Sequence, residues 1–252
     1  HWVMYPFYND HTAYAAVLAL FIPLTLTFSL NKYFSPKEKF WGSITSVILI
    51  LAIILSYTRA AWLSLVIALA IYLVIKLKIK FYHFAVAAAA GLTLFFIFRT
   101  DIMMKLEKNR QDSATDFNKH IQSISNISTD ASNLERINRW NSALRMWHQR
   151  PLFGWGPGTY QFNYAPFQKS SEMTIISTNA GDMGNAHSEY IGPLAEQGVP
   201  GITFMIILTI VVLYTGFRTY STAANKKHKY LALGLTLGLI TYFIHGTLNN
   251  FL

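Results

Sequence analysis

His187 is the residue of this chain best suited to acid–base chemistry, and it lies in the segment 184–191, Gly-Asn-Ala-His-Ser-Glu-Tyr-Ile. A neutral imidazole can accept a proton from an attacking hydroxyl near neutral pH. The spacing of His187, Tyr190 and Leu194 predicts a short helix that begins at the histidine and leads into an apolar run. A lone histidine is more often structural than catalytic, so these residues alone leave both roles open.

A predicted amphipathic helix ahead of this segment carries four arginines: Arg136, Arg139, Arg145 and Arg150. Ser132 and Glu135 have the spacing of a capping box, which predicts that the helix begins at Ser132, and Pro151 ends it. Apolar residues at helical spacing predict that one side packs on the bundle or the membrane surface: Leu134, Ile137, Trp140, Leu144 and Trp147. Guanidinium groups bind phosphate through paired N–H donors, but contacts with water or lipid phosphates explain the arginines equally well.

A glycine-rich segment follows this helix, since residues 151–158 are Pro-Leu-Phe-Gly-Trp-Gly-Pro-Gly. Glycines at alternate positions around a proline predict a tight, irregular turn. A dinucleotide loop needs the pattern GxGxxG between a strand and a helix, and a P-loop needs Lys-Ser or Lys-Thr after its glycines. Neither pattern is present, so a structural turn is favoured over a phosphate cradle.

Several kinds of site are excluded by residues that the sequence lacks. The chain has no cysteine, which excludes thiolate metal sites, iron–sulfur clusters and a cysteine nucleophile. It has no HExxH motif, no GxSxG nucleophile elbow and no Asp-x-Asp pair for a nucleotide-bound cation. Six further histidines show no mutual ligand spacing: His11, His83, His120, His148, His228 and His245. The expected site therefore uses no metal and no cofactor.

The elements that must position these residues are apolar helices. Apolar residues make up 52% of the 252 residues and charged residues only 13%, whereas typical globular domains carry about 25% charged residues. A helix needs about 20 apolar residues to cross the hydrocarbon of a bilayer. Six runs near that length contain no Asp, Glu, Lys or Arg: 12–30, 40–58, 60–75, 81–98, 199–217 and 230–248. The sequence therefore predicts a polytopic membrane protein.

The charges predict how these spans are oriented. The net charge of +9 comes entirely from three alternate connections between spans, whereas the long segment 99–197 holds ten basic and ten acidic residues. The charged residues of the three connections are Lys32, Lys37, Glu38 and Lys39; Lys76, Lys78 and Lys80; and Arg218, Lys226, Lys227 and Lys229. The positive-inside rule puts these connections in the cytoplasm and segment 99–197 outside. Topology thus accounts for the basic charge, which removes the argument for nucleic-acid binding.

Four motifs occur in order along the chain. They are Ser-Tyr-Thr-Arg-Ala-Ala-Trp at 56–62, Arg136 with Trp140 four residues later, the turn at 151–158, and His187 ahead of Gly-Val-Pro-Gly at 198–201. In this order, and together with a large outer loop, they resemble the O-antigen ligase and O-antigen polymerase superfamily over most of the chain.

The resemblance implies a bacterial inner-membrane glycosyltransferase of which this chain, beginning at His1 without methionine, is the C-terminal part. Such enzymes take glycan from an undecaprenyl diphosphate carrier in the periplasm and transfer it to lipid A-core, to a growing glycan or to a protein. The implied fold is all-α, a polytopic membrane helical bundle with a large periplasmic loop that contains short amphipathic helices. Its parts are spans one to four in 1–98, the catalytic loop in 99–197, and spans five and six in 198–252.

The resemblance also implies roles for individual residues. Arg59 and Arg136 match the arginines that bind the donor diphosphate without a metal, and Arg139 is the reserve for the second position. His187 matches the acid–base histidine, although the family often has asparagine next and this chain has Ser188. A lipid diphosphate suits a site outside the membrane, where no ATP or nucleotide sugar is supplied, because it arrives already activated. Guanidinium groups stabilise the charge that grows as it leaves.

Two other classes of protein remain open. A secondary transporter normally places ionisable residues at mid-membrane, and the six runs contain no carboxylate. A non-catalytic scaffold would not require Arg59, Arg136 and His187 to converge. Convergence of these three positions therefore favours the enzyme.

Overall fold

A computed structural model describes residues 11–79, 131–179 and 184–250, together with Phe7 and Thr93. Within these residues the chain forms helices and no strands, which confirms the all-α expectation. The helices are α1 His11–Leu30, α2 Pro36–Leu55, α3 Arg59–Lys76, α4 Ala131–Gln149, α5 Tyr160–Asn163, α6 Ile191–Thr222 and α7 Lys226–Leu248, with a 3₁₀ turn at Ala165–Phe167.

Five of these helices are long and apolar enough to cross a membrane: α1, α2, α3, α6 and α7. They coincide with five of the six predicted runs, and the run 81–98 lies outside the described residues apart from Thr93. The outer sides of α2, α3 and α6 expose large apolar side chains, such as Ile48, Leu69 and Ile207. Hydrocarbon accepts such surfaces, whereas a monomer in water rarely shows them over this extent.

Helix α7 lies at the centre of the spanning helices. Half of its most apolar 18-residue stretch is buried, compared with 11–28% for the other four helices, and α1, α3 and α6 all pack against it. A Cβ atom at Gly238 would lie 2.3 Å from the Leu20 carbonyl oxygen. Glycine at this position therefore permits the close approach of α7 to α1.

The basic connections share one end of the bundle. Helix α7 runs opposite to α1, because Gly234 meets Thr27 and Gly238 meets Leu20. Ala61, near the start of α3, packs in one cluster with the first half of α1, so α3 begins where α7 ends and the two helices are antiparallel. Where α7 begins, Lys227 pairs with Glu38 (Nζ to Oε1, 2.5 Å) and joins the α6–α7 connection to the α1–α2 connection. Arg59, which begins α3, and Leu248, which ends α7, lie at the opposite end. This arrangement agrees with the predicted partition of charge.

Helix α4 packs against α6, and its most buried side is not the predicted apolar stripe. The five residues of the predicted apolar stripe are half-buried or, in the case of Leu144, exposed. The buried side is largely polar: Glu135, Asn138, Arg139, Ser142, Ala143 and Met146. The helix is described from Ala131, one residue before the predicted start at Ser132. The polar side can be buried because its groups hydrogen-bond to one another and to the segment 164–178.

Candidate active site

The last turn of α7 binds the side chain of Arg136. Its Nε donates to the carbonyl oxygen of Leu248 (2.9 Å), and its NH2 donates to Oδ1 of Asn249 (3.4 Å). On α4 itself, its NH1 donates to Oδ1 of Asn133 (2.9 Å). The final carbonyl groups of a helix lack partners within the helix and carry partial negative charge. A guanidinium group is stabilised at this place, and three acceptors fix the plane of its fork.

The same turn of α7 holds the segment that contains His187. The backbone N–H of Glu189 donates to the carbonyl oxygen of Gly246 (2.8 Å). The Tyr190 hydroxyl donates to the carbonyl oxygen of Phe243 (3.3 Å). Trp140, one helical turn after Arg136 on α4, donates from Nε1 to the His187 carbonyl oxygen (3.3 Å). The structure therefore brings Arg136 and the His187 segment to one place.

His187 does not begin a helix as its spacing predicted. It has a left-handed backbone with φ 48°, and α6 begins four residues later at Ile191. Side chains occupy the local N–H groups instead: Asn185 Oδ1 accepts from His187 N (2.9 Å), and Ser188 Oγ accepts from the N–H groups of Tyr190 and Ile191 (both 3.3 Å). Short polar side chains compete with helical hydrogen bonding in this way. The buried Ser188 thus supports the start of α6, while His187 is half-buried.

Arg59 is the first residue of α3 and is half-buried. The turn before it is fixed by the indole of Trp62, whose Nε1 donates to the Ile53 carbonyl oxygen (3.0 Å). Because α3 packs against α7 and begins where α7 ends, Arg59 lies at the same end of the bundle as Arg136 and His187. The three positions predicted from sequence therefore share one end.

Arg139 lies in a buried network with Glu135. It is 5% exposed, its Nε donates to Glu135 Oε1 (2.6 Å), and its guanidinium carbon lies 4.0 Å from the centre of the Tyr164 ring. Burial opposes its charged form, but the hydrogen bond to Glu135 prevails and raises the pKa of Arg139 above its ordinary value. Glu135 also accepts from Asn138, Thr174 and Ser177. These contacts favour a structural role for Arg139, which joins α4 to the segment 164–178.

Sequence inspection missed the partners of this network. Thr178 Oγ1 accepts from Arg139 NH2 (3.2 Å). The same Oγ1 lies 2.9 Å from the hydroxyl oxygen of Tyr164. The hydroxyl of Tyr160 donates to the Arg139 carbonyl oxygen (2.9 Å), and burial raises its pKa so that it stays protonated. The one signal in the sequence was Glu135 four residues before Arg139, a spacing at which oppositely charged side chains meet on a helix.

The glycine-rich segment is a structural turn, as predicted. Its glycines have positive φ angles of 65°, 110° and 72° at Gly154, Gly156 and Gly158. Glu196 of α6 accepts from the N–H groups of Gly158 (2.9 Å) and Tyr160 (2.8 Å), so a carboxylate occupies donors that a phosphate would need. The turn also fits against Gly198, where φ is 68° and a Cβ atom would lie 2.3 Å from the Leu152 carbonyl oxygen.

A cavity of about 490 Å³ lies between this turn and the His187 segment. Its polar lining side chains come from α5, the His187 segment, α6 and the residues after α7: Gln161, Asn185, Glu189, Glu196, Gln197 and Asn250. Amide and carboxylate groups of this kind bind hydroxyl groups. Arg59, Arg136 and His187 are not among the described residues that line it, although Asn185 and Glu189 lie two residues from His187.

Comparison with known proteins identifies the family. The family model described as O-antigen ligase matches residues 44–206, which include Arg59, Arg136 and His187. The chain is also similar to an uncharacterized protein of Haemophilus influenzae, with 22% identity over 241 residues. That match covers 94% of this chain and 58% of the relative, so the chain spans less than two thirds of the relative's length. Because the family model covers well over half of the residues, the chain belongs to the O-antigen ligase family and is a multi-pass membrane protein.

Proposed function

We propose that this chain belongs to a metal-independent glycosyltransferase that moves glycan from an undecaprenyl diphosphate carrier to an acceptor hydroxyl. Membership of the O-antigen ligase family supports a membrane enzyme of glycosyltransferase type. The observation that carries the proposal is the last turn of α7, where Arg136 and the segment of His187 are bound side by side. Arg59 begins α3 at the same end. A scaffold would have no need of this arrangement.

The arginines bind the donor in this proposal. A lipid diphosphate gains negative charge as the bond between the anomeric carbon and the phosphate oxygen breaks. Arg59 and Arg136 stabilise that charge through paired N–H donors, a task for which guanidinium is better shaped than ammonium. Arg139 supports them indirectly, because it donates to Thr178 while its ion-pair partner Glu135 accepts from Ser177, and these contacts hold α4 against the segment 164–178.

His187 acts on the acceptor. Its imidazole takes the hydroxyl proton while the hydroxyl oxygen bonds to the anomeric carbon, and the electron pair of the broken bond leaves on the diphosphate. The polar cavity beside its segment is suited to the hydroxyl-rich acceptor, either lipid A-core or the end of a growing glycan. Membrane lipids surround the apolar helices, and the charge partition supports an inner-membrane location with the large loop in the periplasm.

This topology gives a direct test by reporter fusion. Fusions after Lys78 and after Ser170 are expected to report opposite compartments, with Lys78 in the cytoplasm, because the connections with net positive charge stay inside. A fusion after Asn225, in the third basic connection, serves as the internal control and should match Lys78. Equal signals from Lys78 and Ser170 would contradict the orientation.

The function itself is tested by deletion of the gene and analysis of surface glycans. Loss of all polymer from the surface lipid, with restoration by the intact protein, is the result expected for a ligase. Lipid capped by a single repeat would indicate a polymerase of the same superfamily, and unglycosylated protein would indicate a protein glycosyltransferase. Transfer by purified membranes should continue in EDTA. Unchanged glycans on lipid and protein alike would contradict the proposal.

A further inference from the structure

A buried histidine outside the predicted site is connected to Arg136. His245 lies in the last turn of α7 and is 0% exposed. Its Nε2 is 2.9 Å from the side-chain nitrogen of Asn249, which is itself 4% exposed. Oδ1 of the same Asn249 amide accepts from Arg136 NH2 (3.4 Å). One amide thus joins the histidine to the arginine.

The chemistry of the three groups fixes the direction of these hydrogen bonds. A guanidinium group only donates, so Asn249 must present its oxygen to Arg136. The amide nitrogen then faces His245 and also only donates, so Nε2 of His245 must accept. An imidazole that accepts at Nε2 is neutral and carries its proton on Nδ1. Arg136 and His245 therefore hold the Asn249 amide in one orientation from its two sides, with its oxygen toward the guanidinium and its nitrogen toward the imidazole.

We propose that His245 is a positioning residue for donor binding, which acts through Asn249 to orient the guanidinium of Arg136. The proposal rests on the proposed function, in which Arg136 binds the donor diphosphate. Without an acceptor at His245, the Asn249 amide nitrogen is left buried and unsatisfied, so the amide shifts to find another partner. Its oxygen then no longer meets Arg136 at the same position, and the guanidinium fork is displaced.

The test measures kcat and the KM for lipid-diphosphate-linked glycan in membranes that contain the full-length protein. His245→Phe is expected to raise the donor KM about tenfold, the effect of one misdirected buried hydrogen bond, with kcat within about twofold of wild type. His245→Gln should restore the KM, since its side-chain oxygen can accept from Asn249. Thr241→Val is the matched control, because Thr241 is equally buried one turn earlier on α7 and bonds to Gly238.

A second arm measures whether the effect passes through Arg136. In an Arg136→Lys background, His245→Phe should raise the donor KM no further. Nitrogen NMR of labelled histidine should place the His245 proton on Nδ1 in wild type and change in Asn249→Ala, a readout that needs no activity. An unchanged KM in His245→Phe, an equal effect of Thr241→Val, or a full effect in the Arg136→Lys background would each overturn the positioning role. Failure of wild type to use the lipid diphosphate, or wild-type kinetics of Arg136→Lys, would instead contradict the proposed function.

Discussion

His187→Ala is expected to reduce the turnover of glycan transfer by about 10²–10⁴-fold, the usual contribution of a positioned general base. Its backbone is held by Trp140 and by the Asn185 side chain, so removal of the imidazole leaves the segment in place. The measurement is kcat with the lipid-linked donor, alongside donor binding in the same membranes. Donor binding should stay near wild type, because it depends on the arginines.

His148→Ala is the control for the loss of a histidine from the same large segment between the spanning helices α3 and α6. His148 is exposed on α4, with its ring 5.0 Å from that of Trp147, and this variant should transfer glycan normally. Near-normal turnover in His187→Ala, or equal losses of donor binding and turnover, would show that the residue is structural or positions substrate.

Arg136→Lys and Arg59→Lys are each expected to lower kcat/KM for the donor about 10- to 100-fold although the charge is kept. Paired charge-assisted hydrogen bonds to phosphate require the planar fork, and an ammonium group cannot bridge Leu248, Asn249 and a phosphate together. The assay compares initial rates over a range of donor concentrations at equal expression.

Arg150→Lys controls for the arginine-to-lysine change itself. Arg150 is exposed, and its guanidinium carbon lies 4.2 Å from the centre of the Trp155 ring, so its replacement should leave the rate unchanged. Wild-type kinetics in either Arg59→Lys or Arg136→Lys would refute a diphosphate site formed by these two residues.

The spanning helices could be predicted because the bilayer imposes a rule that acts on local sequence. A run such as 230–248 must be apolar over its whole length, so hydropathy alone finds α7. The same rule does not reveal that α7 is central, since that depends on Gly238 approaching Leu20 from a distant part of the chain. The arginine and histidine positions came from the order of motifs, and the structure adds the turn of α7 that binds Arg136 and Glu189.

The misplaced features share a physical cause. On α4, Glu135 is buried because its oxygens accept from Ser177, 42 residues later, and no local pattern carries that information. At His187, helical spacing was present, but the Asn185 and Ser188 side chains occupy N–H groups just before α6. In both cases, hydrogen bonds from polar side chains to the backbone or to distant residues decide the structure. Helical periodicity in a single sequence does not show such bonds.

Helix α4 and the His187 segment are both bound to the last turn of α7, so both are expected to move with that helix. Arg59 begins α3, which lies beside α7 and runs in the opposite direction. Under the proposed assignment the donor diphosphate contacts both Arg59 on α3 and Arg136 at the end of α7. Axial sliding of α3 along α7 therefore changes the distance between these two guanidinium groups. A slide of one helical residue, about 1.5 Å, is enough to break a phosphate contact. Bilayer thickness affects the axial position and tilt of spanning helices, so under this assignment the affinity for the donor depends on the thickness of the bilayer.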